Sequence, residues 1–283
     1  MTTTIKNSIL TAEIKHFGAE LISLKTNQNK EYIWEGNSDF WGKHSPILFP
    51  IVGTLKDNSF HYDGVEYHLS RHGFARDMEF ELIEITNNSA TFSIQSSEET
   101  LKVYPFEFEL QLIYTLEENN LSIAYKVVNK GKNTMPFSIG AHPAFALPNQ
   151  FENYTIAFEK EEPLEYYLLK DDLISNKTKK LDVTNKKIPL TYELFENDAL
   201  IFKTLQSNSL TILENENPIL RVHFEDFPSL GIWTKMNAPF LCIEPWFGYS
   251  DTNENSGNLF EKEGIQVLES NATFHSKFSI EIL

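Results

Sequence analysis

Strict alternation of hydrophobic and polar residues is the clearest pattern in the chain, and it extends from residue 106 to residue 127. Every second residue of 106–114 (FEFELQLIY) is Phe, Leu or Tyr, and the same spacing returns in 121–127 (LSIAYKV) after the polar segment EENN. A period of two residues places one set of side chains on a single face of a β-strand. The pattern predicts a long antiparallel hairpin with one buried face.

Short hydrophobic runs elsewhere predict further strands. Asp63 and Gly64 separate two such runs in 60–67 (FHYDGVEY), and Asp-Gly favours the tight turn of a two-residue hairpin. The other predicted strands are an opening pair within 5–24, later strands at 210–213, 220–224, 231–234 and 240–243, and a final strand at 278–282.

Two segments depart from this pattern. The run 47–53 (ILFPIVG) contains Pro50, which cannot donate to a central ladder, so we expect it at a sheet edge or bend. A short helix is predicted at 166–174, within a polar stretch that has too little apolar content for a core of its own. The many short strands predict an all-β fold, a large antiparallel β-sandwich formed as a single domain over 1–283.

Charge and composition narrow the classes of partner. The 283-residue chain has a formal net charge of −16, which disfavours nucleic acid and anionic membranes as partners. No hydrophobic run approaches the ~20 residues that cross a bilayer, and the first residues do not resemble a signal peptide. Cys242 is the single cysteine, so an internal disulfide and a metal site built from several cysteines are excluded, and we expect it to be a small buried hydrophobe. We therefore expect a cytoplasmic protein that binds a small molecule.

The segment 71–76 (RHGFAR) concentrates chemistry directly after the predicted hairpin. His72 can exchange protons near neutral pH, and Arg71 and Arg76 can hold oxygens in a fixed fork geometry. Strict alternation along an extended chain would point Arg71 away from His72. The segment is a candidate wall of a cleft.

Two further segments place titratable groups at predicted strand ends. In 139–145 (IGAHPAF), the proline after His142 restricts the backbone and fixes how the imidazole points. In 243–251 (IEPWFGYSD), Glu244 follows a hydrophobic strand and precedes aromatic residues that can stack on a ligand. Burial at such a position raises the pKa of a glutamate and makes it a usable base. Either group could instead be structural, His142 as a turn residue and Glu244 as the partner of a nearby arginine.

These three motifs, in this order and at this wide separation, resemble the aldose 1-epimerase (mutarotase) superfamily, in the divergent branch found near sugar-utilisation enzymes. The resemblance rests on three motifs, 72–76 (HGFAR), 141–145 (AHPAF) and 243–246 (IEPW). The resemblance covers almost the whole chain. It implies a galactose mutarotase-like β-supersandwich and an isomerase that interconverts the α and β anomers of a hexose, without metal, nucleotide or other cofactor.

The resemblance also implies roles for the residues of the motifs. Glu244 would take the proton from the C1 hydroxyl, and His142 would protonate the ring oxygen so that the ring opens. His72 would be a second donor that orients the sugar and stabilises charge on the ring oxygen. Rotation about the C1–C2 bond and closure on the other face would give the second anomer.

One departure from the family pattern concerns substrate contacts. Family members usually carry an arginine just before the early hairpin, where this chain has Thr54. Arg76 is the expected replacement, with Arg71 and Lys56 as further substrate-binding candidates. Because these three cations could also bind a phosphate, a mutarotase for hexose 6-phosphates is an alternative.

A second alternative is a non-catalytic carbohydrate-binding or sensor protein that keeps the cleft without turnover. Trp41, Trp233 and Trp246 would then stack on the sugar, unless they serve only as core residues. His68 and His72 lie four residues apart, but a strand followed by glycine does not converge them on one metal ion. The sequence leaves the sugar and the oligomeric state open, with a homodimer as one expectation.

Overall fold

The computed structural model describes residues 1–181, 183 and 185–283, and strands dominate it. One short α-helix, α1, spans Glu98–Val103. The strands are β1 (Thr2–Lys6), β2 (Leu10–Lys15), β3 (Glu20–Thr26), β4 (Ile47–Leu48), β5 (Ser59–Tyr62), β6 (Val65–His68), β7 (Glu81–Ile85), β8 (Ser89–Gln95), β9 (Phe108–Glu117), β10 (Asn120–Asn129), β11 (Met135–Phe137), β12 (Ile139–Ala141), β13 (Ala144–Ala146), β14 (Tyr154–Phe158), β15 (Glu165–Lys170), β16 (Leu173–Lys180), β17 (Lys187–Pro189), β18 (Leu200–Phe202), β19 (Ser209–Glu214), β20 (Asn217–His223), β21 (Ser229–Trp233), β22 (Phe240–Phe247), β23 (Gln266–Leu268) and β24 (Thr273–Ile282). Single 3₁₀ turns occur at Lys56–Asn58, Ala75–Asp77, Phe151–Asn153, Tyr192–Phe195 and Leu259–Glu261.

A nine-stranded antiparallel sheet forms one layer, in the order β17-β14-β19-β20-β24-β10-β9-β8-β7. The predicted long hairpin is confirmed as β9 and β10, and buried residues alternate with partly exposed ones along both strands. The final strand is also confirmed as β24, which inserts between β20 and β10. This sheet therefore has one face in the core and one wetter face, as its alternation requires.

The second large sheet has the order β16-β15-β18-β21-β22-β12-β4, and β13 also pairs with β22. The expectation for 47–53 is confirmed, because β4 lies at the end of this sheet. Nearly all of β22 is buried on both faces. Leu241 and Ile243 belong to the main core, whereas Cys242 and Glu244 alternate with them and so lie on the opposite face of the strand.

The main core draws buried residues from Ile5 near the start of the chain to Ile282 near its end. Aromatic rings fill much of it, and Phe49 contacts Phe108 and Phe137 with ring centroids 5.0 Å and 6.0 Å away. The expected large antiparallel sandwich is confirmed, and the single domain over 1–283 stays a prediction. No helix in the part of the chain that the structure describes is long and apolar enough to cross a membrane.

Two local predictions need correction. The opening segment forms three paired strands, β1 to β3, rather than two. The predicted helix at 166–174 is wrong, because this segment forms the hairpin of β15 and β16. Tyr167 pairs with Ile201 of β18, so tertiary pairing supplies the hydrogen bonds that a helix would otherwise make internally. Asp171 and Asp172 form the tip of this hairpin with positive φ angles.

Candidate active site

Glu244 and His142 meet because a break in one strand faces the middle of another. The chain of β12 and β13 is interrupted by His142 and Pro143, and both strands pair with β22 on either side of the break. Glu244 lies within β22, so its expected position at a strand end is wrong. Pro245 is tolerated within β22 because its nitrogen faces the break between β12 and β13, where no ladder hydrogen bond is required of it. The nitrogen of Ile243 faces the same side and donates to the Pro143 carbonyl at 3.3 Å.

His142 is held by a frame of aromatic rings. The Trp41 indole stacks on the imidazole with centroids 4.7 Å apart and planes 25° apart, and the Trp233 indole meets it edge-on at 5.9 Å. Nε2 of His142 lies 3.3 Å from Oε2 of Glu244. The two side chains are 10% and 2% exposed. The imidazole and the carboxyl group therefore form a close pair that is largely shielded from water.

The Trp246 indole lines the floor beside this pair, and two glycines make room for it. A Cβ atom at Gly231 would lie 2.4 Å from the indole, and one at Gly140 would lie 2.6 Å from it. Both distances are shorter than real carbon contacts. Because β12, β21 and β22 carry these residues, the floor of the site is built on paired strands rather than on loops.

His72 is fixed by two hydrogen bonds to one residue. The Gly53 N–H donates to Nδ1 of His72 at 3.1 Å, and the His72 N–H donates to the Gly53 carbonyl at 2.8 Å. The φ angle of His72 is 69°, an uncommon value for a residue other than glycine. A backbone N–H can only donate, so the Gly53 contact uses the Nδ1 lone pair of the ring.

Arg71 contacts His72, so the expectation that it points away is wrong. Strand β6 ends at His68, and residues 71 and 72 lie in a turn where side chains no longer alternate. The Nε–H of Arg71 points at Nε2 of His72 at 3.3 Å, and its Nη1 pairs with Asp172 at 3.0 Å. Both ring nitrogens of His72 therefore face an N–H donor, and a neutral imidazole has a lone pair for one of them. An acceptor oxygen that takes the Arg71 N–H would let Nε2 carry the ring hydrogen.

A cleft of about 260 Å³ brings most of the predicted site residues together. Small-molecule pockets typically measure about 300 Å³ or more. This cleft is at the small end of that range, so its volume suits a small ligand such as a monosaccharide. The predicted residues that line it are Glu244, His142, His72, Arg71, Arg76, Trp41, Trp233 and Trp246.

Lys56 and Thr54 do not line this cleft. Nζ of Lys56 donates to the Asn255 carbonyl at 3.3 Å, so Lys56 lies apart from the other substrate-binding candidates, and its substrate contact stays a prediction. Thr54 is 8% exposed, and its Oγ1 has no hydrogen-bond partner. Arg76 does line the cleft, where Nη2 donates to the Arg71 carbonyl at 2.7 Å and Nε lies 3.6 Å from Asp77.

Burial favours the uncharged forms of the three titratable groups. It raises the pKa of Glu244 well above its ordinary value, against an opposing effect of the Arg71 charge. Burial lowers the pKa of His142 to about 3, and Arg71 and Arg76 act in the same direction. Burial likewise lowers the pKa of His72 well below its ordinary value. The pair of Glu244 and His142 therefore favours a form with the exchangeable proton on the carboxyl group, a neutral imidazole beside a neutral carboxylic acid.

The opposite wall was not found from the sequence. It includes Asp198, and its apolar part consists of Leu169, Ala199 and Ile201. Asp198 has a φ angle of 76°, and its carboxylate accepts the Ala199 N–H at 2.7 Å. In the sequence, Asn197 and Asp198 look like an ordinary turn and carry no sign of a site. Only the position of β18 beside β21 shows that Asp198 faces the cleft.

One group of side chains could hold a metal ion. Donor atoms of His142, Cys242 and Glu244 all lie within 4.8 Å of one another, and all three residues are buried. Burial raises the pKa of the Cys242 thiol, and the nearby Glu244 adds to this effect. Cys242 is 0% exposed, as expected for a small buried residue, but it also lies beside the two central groups of the cleft.

Comparisons with known proteins find relatives that span the whole chain. The family model described as "Aldose 1-epimerase" matches residues 1–266. The plasmid-encoded protein LacX of Lactococcus lactis is 35% identical over 100% of both chains. A galactose mutarotase related enzyme from Lactobacillus acidophilus superposes with a TM-score of 0.96 at 36% identity, over 100% of this chain and 97% of that one. A galactose mutarotase-like protein from Lactobacillus casei gives 0.95 at 30% identity, over 100% of both. The chain therefore belongs to the aldose 1-epimerase family.

Proposed function

We propose that the protein is an isomerase that interconverts the α and β anomers of a free hexose by opening and closing the sugar ring. The observation that carries this proposal is the contact of 3.3 Å between His142 and Glu244, inside a cleft of monosaccharide size. Family membership supports the same reaction type.

Proton counting explains why such a pair suits the reaction. Ring opening removes one proton from the C1 hydroxyl and adds one proton to the ring oxygen, so the enzyme gains and loses none overall. A buried pair that holds a single proton can supply it to one oxygen while its other member accepts the proton of the second. Each well-placed acid or base contributes roughly 10²–10⁴-fold to the rate.

We assign Glu244 as the base toward the C1 hydroxyl and His142 as the acid toward the ring oxygen. Burial favours the proton on Glu244 in the free protein. Transfer across the 3.3 Å contact to His142 gives the carboxylate and imidazolium that begin the reaction. Hydroxyl groups of a bound sugar would stabilise these charges, because they replace the hydrogen bonds that burial removes. After ring closure on the opposite face, the proton returns by the same route.

His72 and Arg71 would stabilise the oxygen that becomes charged. The Nε–H of Arg71 points at Nε2 of His72, 3.3 Å away. A sugar oxygen that takes this N–H would let the ring carry its hydrogen on Nε2, and the oxygen would then accept from both groups. Donors that are fixed before the reaction cost no reorganisation when charge develops. The Gly53 hydrogen bond fixes His72 in this way.

The contacts of the cations favour a neutral sugar over a hexose 6-phosphate. Of the three cations expected to bind phosphate, Lys56 lies outside the cleft. Arg71 is paired with Asp172 at 3.0 Å, and Arg76 is bonded to the Arg71 carbonyl and lies near Asp77. A phosphate would have to compete for guanidinium groups that already have acceptors.

Polarimetry tests the proposal directly. Freshly dissolved α-glucose and α-galactose should reach their equilibrium rotation faster with catalytic amounts of purified protein, and their 6-phosphates should gain less. Acceleration restricted to the phosphorylated sugars would contradict the preference for a neutral sugar. Saturable sugar binding without any acceleration would contradict the enzyme assignment and support a non-catalytic carbohydrate-binding protein.

A further inference from the structure

We propose that His142, Cys242 and Glu244 form a binding site for a soft divalent cation of the Zn²⁺ class. Their donor atoms, an imidazole nitrogen, a thiol sulfur and a carboxylate oxygen, lie within 4.8 Å of one another. This combination of nitrogen, sulfur and oxygen ligands is typical of zinc sites with three protein ligands and one open position.

The spacing of the donors is close to what a tetrahedral ion requires. With Zn–N and Zn–O bonds near ~2.0 Å, two ligands of a tetrahedral site lie about 3.3 Å apart. Nε2 of His142 and Oε2 of Glu244 already lie 3.3 Å apart. A nitrogen and a sulfur ligand would lie about 3.6 Å apart, and the Cys242 sulfur lies within 4.8 Å of the other donors, so it needs a shift of no more than about 1.2 Å. Rotation about the Cα–Cβ bond of the cysteine moves the sulfur in this way.

The carboxylate oxygen of this group lacks a hydrogen bond. Oε2 of Glu244 is buried and makes none, although it lies 3.3 Å from Nε2 of His142. Glu244 and His142 are 2% and 8% exposed. An unpaired buried lone pair is costly, and an ion bound between Oε2 and Nε2 would recover part of that cost. Cys242 lies two residues before Glu244 on β22, so both side chains emerge from the same face of the strand.

The fourth position would face the cleft. Glu244 and His142 line the cleft, whereas Cys242 lies behind them, outside its lining. An ion that enters from the cleft would therefore bind the outer pair and the inner sulfur together, with water in the remaining position. The thiol proton would pass to solvent as the thiolate forms. Thiolate and imidazole ligands select Zn²⁺ over Mg²⁺ and Ca²⁺, which prefer oxygen.

Ion binding would stop anomerisation reversibly, because it occupies lone pairs of both the acid and the base. This consequence rests on the proposed function, whereas the binding site itself does not. Cys242 is not assigned a step in the isomerase reaction, so a substitution there separates metal binding from turnover. Cys242→Ala removes the sulfur, and Cys242→Ser keeps the size while it replaces a thiolate with a poor ligand.

Titration with Co²⁺ and Zn²⁺ tests the site on the purified, chelator-treated protein. Co²⁺ should bind with one equivalent and give the absorption of a tetrahedral site with a thiolate-to-cobalt charge-transfer band. Zn²⁺ should displace it, and competition with a chromophoric chelator then gives the zinc affinity. We expect both cysteine variants to lose the charge-transfer band and about a hundredfold or more in affinity. His68→Ala, which removes an exposed imidazole outside the cleft, should leave the spectrum and the affinity unchanged.

Turnover provides the second readout. Zn²⁺ should inhibit wild-type anomerisation, the chelator should restore it, and Cys242→Ala should retain the metal-free rate while resisting inhibition. Absence of stoichiometric binding, or an unchanged affinity in folded Cys242→Ala, would overturn the site. If the protein fails to accelerate anomerisation, the cobalt spectrum of wild type and variants still decides the metal proposal. Circular dichroism and thermal unfolding confirm that each variant is folded.

Discussion

Gly53 and His72 exchange two backbone-anchored hydrogen bonds, one from the Gly53 N–H to Nδ1 of His72 and one from the His72 N–H to the Gly53 carbonyl. The first holds the ring through Nδ1, and the second holds the backbone from which the side chain starts. The other ring nitrogen, Nε2, faces the Nε–H of Arg71 at 3.3 Å, and it would become a donor toward the cleft when a sugar oxygen takes that N–H.

The His72 donor should matter most after the ring oxygen has gained charge. His72→Phe removes the donor and should lower kcat by about 10²-fold, as expected for the loss of one prearranged donor. His72→Gln keeps an N–H group and should lose less. Polarimetric progress curves at several sugar concentrations separate kcat from KM. An effect of His72→Phe on KM alone would show that the residue only binds sugar.

The acid–base pair should account for most of the turnover. Glu244→Gln and His142→Asn should each lower kcat/KM by about 10²–10⁴-fold, because each removes one member of the proton exchange. Both variants should still unfold cooperatively near the wild-type temperature, since the replacements are close in size. Near wild-type anomerisation in both would contradict the assigned roles. Tryptophan fluorescence on sugar addition checks whether the cleft still binds ligand.

The strands and their hairpins were predictable because their signals are local. The alternation in 106–127 predicts a hairpin with one solvent-exposed face, and Asp63-Gly64 predicts the tight turn of a second hairpin. The helix expected at 166–174 failed because the segment forms the hairpin of β15 and β16, with Asp171 and Asp172 at its tip. The further pairing of Tyr167 with Ile201 of β18 depends on residues far along the chain.

The titratable groups of the cleft were also predictable, but their contacts were not. His72, His142 and Glu244 lie in unusual local sequences, with glycine or proline beside each. Asp198 joins them only through the order of strands in the second sheet, and Lys56 leaves them because its side chain turns toward Asn255. Distances between side chains on different strands depend on register, which composition does not set.

Stability should fall below neutral pH because His72 is buried. Burial lowers its pKa below 6.5, so from about pH 6.5 downward the unfolded chain binds more protons than the folded one. Between pH 7 and pH 5 this residue should cost about 1–2 kcal/mol of the free energy of unfolding. Glu244 acts oppositely, because burial raises its pKa and its contribution is lost as the pH rises.

Urea unfolding at pH 7 and pH 5 isolates the histidine contribution. His72→Gln should reduce the difference between the two pH values by about 1–2 kcal/mol, since glutamine does not titrate. His275→Gln, at an exposed position on β24, should leave the difference unchanged. An equal effect of both substitutions would show that the burial of His72 is not the cause.

Thr54 should tolerate loss of its hydroxyl but not an arginine. Its backbone is held by Ser250 Oγ at 2.9 Å and by the Asp251 N–H at 2.8 Å, and its Oγ1 has no partner. Thr54→Arg would bury a charge beside this segment and should lower the free energy of unfolding by more than about 2 kcal/mol. Thr54→Val removes the unpaired hydroxyl and should be neutral or slightly stabilising. A stable Thr54→Arg protein with tighter sugar binding would instead show that an arginine from this position reaches the cleft.

The buried ion pair of Lys262 and Asp251 should anchor the segment that holds His72. The side chains are 1% and 2% exposed, with Nζ 2.8 Å from Oδ1, and Oδ2 of Asp251 accepts the Lys56 N–H at 2.9 Å. Burial lowers the pKa of Lys262, and the Asp251 charge opposes this shift. The carboxylate of Asp251 therefore helps to keep the buried ammonium group charged. This chain of bonds fixes residues 53–56 and, through Gly53, the His72 ring.

Lys262→Met should therefore cost about 3–5 kcal/mol of the free energy of unfolding, because it leaves the Asp251 carboxylate buried without its cation. Asp251→Asn with Lys262→Met removes both charges and should recover part of this loss. Lys56→Met is the matched control, since the Lys56 side chain makes one bond, to the Asn255 carbonyl at 3.3 Å. Urea unfolding measures all four proteins. A cost for Lys262→Met no larger than that for Lys56→Met would mean that the ion pair does not hold this segment.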